Sequence, residues 1–170
     1  AVRYVDQGAV AWTKERQCVS CHTNGTYLQM RPALTPLLGK PQKEIRDFFV
    51  AELKQMRAKP LSELKGGIRP TQVAYVAAGL AEWDAHVTGQ LSDATRSALD
   101  LMFKVQSENG AWGNTRCWPP FESSDYQAAT VAAMAIATAP GYYQALSPAH
   151  SEQVKRLRQY FSDTPPAHDY

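Results

Sequence analysis

The chain has 170 residues, 44% hydrophobic and 20% charged, which is the balance of one globular domain long enough to bury a core and not that of a disordered segment. Its net charge of +2 is too small to argue for a nucleic-acid partner. No run approaches the roughly 18 apolar residues of a membrane span, and no secretory leader is visible.

Strand signals are scarce, while Ala, Leu, Gln, Glu and Lys dominate, so the expected fold class is all-α. Residues 5 to 16 read as a first helix with Val5, Ala9 and Trp12 on one face. Cys18-Val19-Ser20-Cys21-His22 interrupts it. Thr26 to Met30 form a second short helix; Pro32 is tolerable in a first turn, and Pro36 should bend or end the helix. Residues 42 to 57 read as an amphipathic helix, with Ile45, Phe48, Phe49, Leu53 and Met56 at helical spacing. Residues 59 to 67 read as a loop. Thr71 is the expected cap of an Ala-rich, nearly uncharged helix over 72–83, broken at 86–89. Ser92 opens a helix to about residue 108, stopped by Asn109-Gly110. A loop over 111–124 carries Trp112, Cys117, Trp118, Pro119, Pro120 and Phe121. A second Ala-rich helix spans 125–138, stopped by Pro140-Gly141. Ser147 or Pro148 opens a last amphipathic helix through Val154, Leu157 and Phe161, before a Pro-rich tail over 164–170.

The segment Cys18–His22 carries the clearest chemistry. Two cysteines three apart, followed at once by histidine, form the attachment signature of a c-type haem. The thiols of Cys18 and Cys21 would add to the haem vinyl groups as thioethers, and His22 would ligate the iron as the proximal imidazole. A redox dithiol normally sits at the head of a helix in a βαβ context, which is absent. A zinc site needs a second ligand pair, and no second CxxC or HxxxH exists. Of the 3 cysteines, Cys117 is then left over without a partner. Covalent haem implies export, so a periplasmic or otherwise exported location is expected, with any leader removed before Ala1.

The helices repeat. Gln72-Val-Ala-Tyr-Val-Ala-Ala-Gly-Leu-Ala aligns with Gln127-Ala-Ala-Thr-Val-Ala-Ala-Met-Ala-Ile with five identities in ten. Charged amphipathic helices alternate with Ala-rich uncharged ones, as outer and inner helices of an α/α solenoid or toroid do. Asp125-Tyr126 opens an inner helix, and Asp169-Tyr170 recurs after the next outer one. The chain is therefore expected to be a single domain over 1–170 and the N-terminal part of a longer protein; a natural Pro-rich tail is the other reading. An incomplete toroid would expose inner-helix surface, which predicts self-association or lower stability than that of a longer chain.

Gln106-Ser-Glu-Asn-Gly110-Ala-Trp112, preceded by Leu101 and Phe103, resembles the QW motif of squalene–hopene cyclases and related α/α-toroid proteins. The resemblance implies a partial α/α toroid in which Gln and Trp tie the end of an outer helix to the start of the next inner one. Gln17, the CxxCH residues and Gly25-Thr-Tyr27 share that skeleton at longer spacing. The cyclases carry D-x-D-D at the head of an inner helix, with the middle acid as proton donor. Here that stretch resembles Glu122-Ser123-Ser124-Asp125, with serine at the donor position, which argues against terpene cyclase chemistry. The zinc-dependent prenyltransferases share the toroid; Cys117, Asp125 and His168 are the nearest set, and their spacing does not match.

Toroid topology puts Cys117 at the haem end, in a Trp/Pro-rich loop, as the candidate distal iron ligand, with Met30 as the alternative. Met56 reads as core, and His86 and His150 as surface residues at the other end. The expected function is a monohaem c-type cytochrome that transfers electrons to a redox partner protein. The alternative is a haem enzyme or ligand sensor, with an open distal site over an apolar pocket of Trp112, Trp118, Phe121 and Tyr126.

Overall fold

This computed structural model describes residues 2–19, 22–113 and 124–165. Among them every regular element is helical, which makes the fold class all-α. The elements in order are α1 (Val2–Arg16), α2 (Asn24–Met30), a 3₁₀ turn (Pro32–Leu34), α3 (Thr35–Leu38), α4 (Lys43–Arg57), α5 (Leu61–Leu64), α6 (Arg69–Trp83), a π turn (Asp84–Thr88), α7 (Asp93–Lys104), α8 (Asp125–Thr138), a 3₁₀ turn (Tyr143–Ala145) and α9 (Pro148–Asp163). No helix among the described residues is long and apolar enough to cross a membrane.

Most boundaries follow local chemistry. Ser92, Ser124 and Ser147 each accept a backbone N–H from the first turn of α7, α8 and α9, filling one of the donors that a helix start leaves orphaned. The start of α6 differs from expectation. Pro70 sits inside its first turn, where a missing N–H costs nothing, so the helix begins at Arg69 and Thr71 is buried within it, not capping it. Pro36 likewise begins α3 where an end was expected, and the loop over 59–67 contains α5. α7 stops at Lys104, so Gln106 lies in a turn, released for long-range hydrogen bonds.

The helices pack in two rows. α6 lies between α2 on one side and α8 on the other, and these three form an inner row. α1, α4, α7 and α9 form the outer row: α1 packs on α2 and α4, α4 on α6 and α7, α7 on α6 and α8, and α9 on α8. Two of the three inner helices, α6 and α8, are rich in alanine, because a helix packed on several sides has little room for long side chains; α2 (NGTYLQM) has none. Every residue of α6 from Val73 to Trp83 is buried. Gly79 permits close approach of α2 to α6: a Cβ there would come within 2.9 Å of Leu28 Cδ2, and Leu28 is itself fully buried. Phe49, Ile45 and Leu53 of α4 and Met56 beside them enter the same core, each contributing about 1.5–3 kcal/mol by burial. Met56 is thus a core residue.

The Gln106–Trp112 segment forms a closed corner. The Trp112 ring is fully buried, and its Nε1–H donates to the Met102 carbonyl at 2.6 Å. Gln106 Nε2–H donates to the carbonyls of Gly110 and Gln153, each at 3.0 Å, and Gln153 Nε2–H returns a bond to the Phe103 carbonyl at 2.7 Å. The side-chain tie expected to the next inner helix therefore runs to α7 itself and to α9, the next outer helix. Gly110 has φ +92°, and a Cβ there would fall 2.3 Å from the Arg156 carbonyl oxygen, so only glycine fits. Contact with the inner row is made by Gly113, packed directly on Asp125 at the head of α8.

Candidate functional site

The site begins where α1 ends. Gln17 adopts φ +48°, a left-handed conformation that turns the chain out of the helix. Cys18 follows as a half-buried free thiol. Two amides hold this connection: Asn24 Nδ2–H donates to the Cys18 carbonyl at 3.0 Å, and Gln72 Nε2–H, from α6, donates to the Val19 carbonyl at 3.1 Å. Gln17 itself is exposed, and Gly25 and Tyr27 lie inside α2, so the QW-like skeleton seen here in the sequence does not form a second closed corner.

α1 and α2 diverge from this connection and leave a groove of about 810 Å³ between them. One wall is the α1 face of Tyr4, Gly8, Ala11, Trp12 and Glu15, spaced at helical intervals. The other wall is formed by His22, just before α2, and by Thr26 and Met30, four residues apart on α2, all three exposed. Asn24 and Leu28, on the other side of α2, are buried, and Tyr27 is buried at the groove floor. The volume lies within the range of sites for medium-sized ligands, and the lining is mostly apolar. Tyr4 is 82% and Met30 61% exposed, so the groove leaves large apolar side chains open to solvent.

A buried polar cluster anchors the groove floor. Tyr27 Oη–H donates to Asp6 Oδ1 at 2.9 Å and accepts the Gln42 N–H at 3.0 Å. Arg31 pairs with Asp6 at 3.3 Å, and its remaining guanidinium N–H groups donate to the carbonyls of Gly39 and Leu38. Both charges are almost wholly buried, so loss of either partner would strand the other. Burial pushes the Tyr27 phenol up to about 12, which keeps it a donor.

Around His22 the polar groups are not all satisfied. Trp12 lies 5.3 Å from His22, ring to ring, at 73°. Its Nε1–H is buried and has no hydrogen-bond partner among the described residues. Thr23 stands at the N-cap position of α2, but its hydroxyl does not cap the helix and is also buried without a partner. Such groups cost about 1–3 kcal/mol each when left unpaired. Two orphaned atoms lining one groove, beside one histidine, mark a place for a ligand with polar groups.

The other sequence-derived candidates fall as follows. Cys21, Cys117, Trp118, Phe121, Glu122 and His168 lie outside the described residues. Met30 ends α2, whereas His22 precedes its N-cap Thr23; both are exposed and line the groove. Trp112 is fully buried in the α7–α9 corner and lines no open pocket. Tyr126 packs against Phe161 at 5.2 Å. His86 is partly exposed beside Glu82 at 3.2 Å. His150 is not a bare surface residue: it stacks on Phe103 at 4.5 Å, with Nδ1 3.1 Å from the Tyr142 hydroxyl. No group of three His, Cys, Asp or Glu side chains that could hold a bare metal ion occurs among the described residues. No motif singles out Thr23 or the Asp6–Tyr27–Arg31 cluster; the one signal is the four-residue spacing that puts Tyr27 and Arg31 on the same side of α2.

Comparison with protein-family models, with curated proteins and with solved structures finds no match to this chain.

Proposed function

We propose that this chain is a monohaem c-type cytochrome domain that transfers electrons in a periplasmic or otherwise exported compartment. The observation that carries the reading is the position of His22 within Cys18-Val19-Ser20-Cys21-His22, at the mouth of an apolar groove that also holds two orphaned polar atoms. The residues fit the group. Cys18 and Cys21 would hold it through thioethers, His22 through its imidazole, and the groove walls would keep water from its apolar face. The Trp12 and Thr23 donors would meet its polar substituents. Bound haem supplies one-electron chemistry between ferric and ferrous iron. The chain's own part is to orient His22, exclude water on the groove side and leave an edge open to a partner. The open apolar rim of Tyr4, Val5 and Leu34 supports contact with a redox partner protein.

Electron transfer is favoured over a ligand sensor because Trp112, the first wall of the sensor's expected pocket, is a core residue. The two-row packing supports a segment of an α/α toroid as the scaffold. The distal ligand is assigned to Cys117 ahead of Met30, since Met30 is only eight residues past His22 and lines the same groove. The test is expression with the c-type attachment machinery followed by acid–acetone extraction. Colour should stay with the polypeptide in the natural chain and be lost in a Cys18→Ala, Cys21→Ala double variant. Haem released from the natural chain into the solvent overturns the proposal.

A further inference from the structure

We infer that Trp12 and Arg16 act as a positioning pair for His22, and that the Arg16 charge favours the reduced state of the centre; this rests on the haem reading above. Trp12 and Arg16 lie four residues apart on α1, one above the other. The Arg16 guanidinium carbon stands 5.6 Å from the Trp12 ring centroid, over the ring. Trp12 in turn meets His22 at 5.3 Å in an edge contact with the planes at 73°. A guanidinium, an indole and an imidazole therefore form one short stack, ending on the residue that would ligate iron.

Two consequences follow from elementary physics. An edge contact between rings restrains rotation of the imidazole, which sets the plane it presents to the metal. A cation held beside that ring also disfavours the oxidation state carrying one more positive charge. Lys14, the neighbouring cation on α1, points elsewhere and is paired with Glu44 at 3.3 Å, whereas Arg16 is held on the indole. Among the described residues that line the groove, Glu15 is the acidic side chain.

The experiment uses the haem-loaded full chain and reads the equilibrium between ferric and ferrous forms, together with the ferric spectrum. Arg16→Gln at low salt should raise the ferric-to-ferrous ratio at fixed ambient potential by about threefold. Arg16→Lys should stay close to the natural chain. The Arg16→Gln effect should shrink at high ionic strength, because Arg16 is exposed. Trp12→Phe should alter the ferric electron paramagnetic resonance anisotropy by freeing the imidazole plane. Arg16 is a surface residue, so its variants report even if Trp12→Phe fails to fold. Natural and Arg16→Gln proteins that carry covalent haem and titrate identically overturn this inference and leave the haem reading standing. A natural chain that takes no haem overturns the haem reading first, and this inference with it.

Discussion

The α7–α9 corner around Trp112 and the α1–α2 corner around His22 both join helices through an aromatic residue and nearby amides, yet they differ in how their polar groups end. At the first, the Trp112 N–H, the Gln106 amide and the Gln153 amide all find carbonyls within the corner, and the ring is fully buried. At the second, the backbone is held by Asn24 and Gln72, but the Trp12 N–H and the Thr23 hydroxyl are buried without partners beside an open apolar groove. A corner that satisfies itself is a structural joint. A corner that holds its own backbone while leaving donors and an apolar wall unused is built to receive something else.

The largest effect that separates the two is Trp112→Ala. It empties a fully buried site and strands the Met102 carbonyl, and should cost about 3–5 kcal/mol in urea unfolding. Trp12→Ala removes a half-buried ring whose N–H has no bond to lose, and should cost about 1 kcal/mol in the haem-free chain. Equal losses would break the distinction between joint and receptor site.

Sequence and structure agree best where short-range chemistry decides. The serine caps at Ser92, Ser124 and Ser147 and the core stripe of α4 follow from spacing alone, as does the burial of the Ala-rich α6 and α8. Disagreement appears where distant contacts decide. Thr71 looks like a cap, but Pro70 moves the helix start upstream of it. Gln106 looks helical, but α7 stops two residues earlier and the side chain bridges to α9. His150 looks like a surface residue until Phe103 of α7 is packed against it. At the candidate site the motif reveals His22, while the facing wall of Trp12 and Gly8 depends on how α1 folds back over α2. No spacing rule along one strand of sequence reports that.

Tyr27 gives a second contrast, intermediate in size. Its phenol is raised from the ordinary value of 10 to about 12, chiefly by burial, then by the hydrogen bond to and the charge of Asp6. A raised folded-state value means that the unfolded chain loses its proton first. The contribution is therefore fully present below pH 10 and lost as pH climbs from about 10 to about 12, on the order of 1–2 kcal/mol. Tyr142 is raised too, by burial in the opposite half, and acts in the same direction. The measurement is thus a difference: Tyr27→Phe should flatten part of the alkaline loss in stability, monitored by urea midpoint from pH 8 to 12. An unchanged profile would mean that the Asp6–Tyr27–Arg31 floor does not hold in solution.

The smallest effect is the sharpest test of the comparison, because its sign is at stake. Valine matches threonine in shape and lacks only the hydroxyl. Thr95 donates its hydroxyl to the Leu80 carbonyl at 3.2 Å, so Thr95→Val should destabilise the haem-free chain by about 1 kcal/mol. The Thr23 hydroxyl is buried with no partner, so Thr23→Val relieves a desolvation cost with no bond to lose. It should be neutral or stabilising by up to about 0.5 kcal/mol in the haem-free chain. On the proposed haem reading the hydroxyl would gain a partner once the group is attached, and the same substitution should then turn destabilising. The comparison is therefore of one variant in two states, read by thermal unfolding against Thr95→Val, which should cost the same in both. If Thr23→Val destabilises the haem-free chain as Thr95→Val does, the hydroxyl already has a protein partner, and the α1–α2 corner is as self-sufficient as the α7–α9 corner.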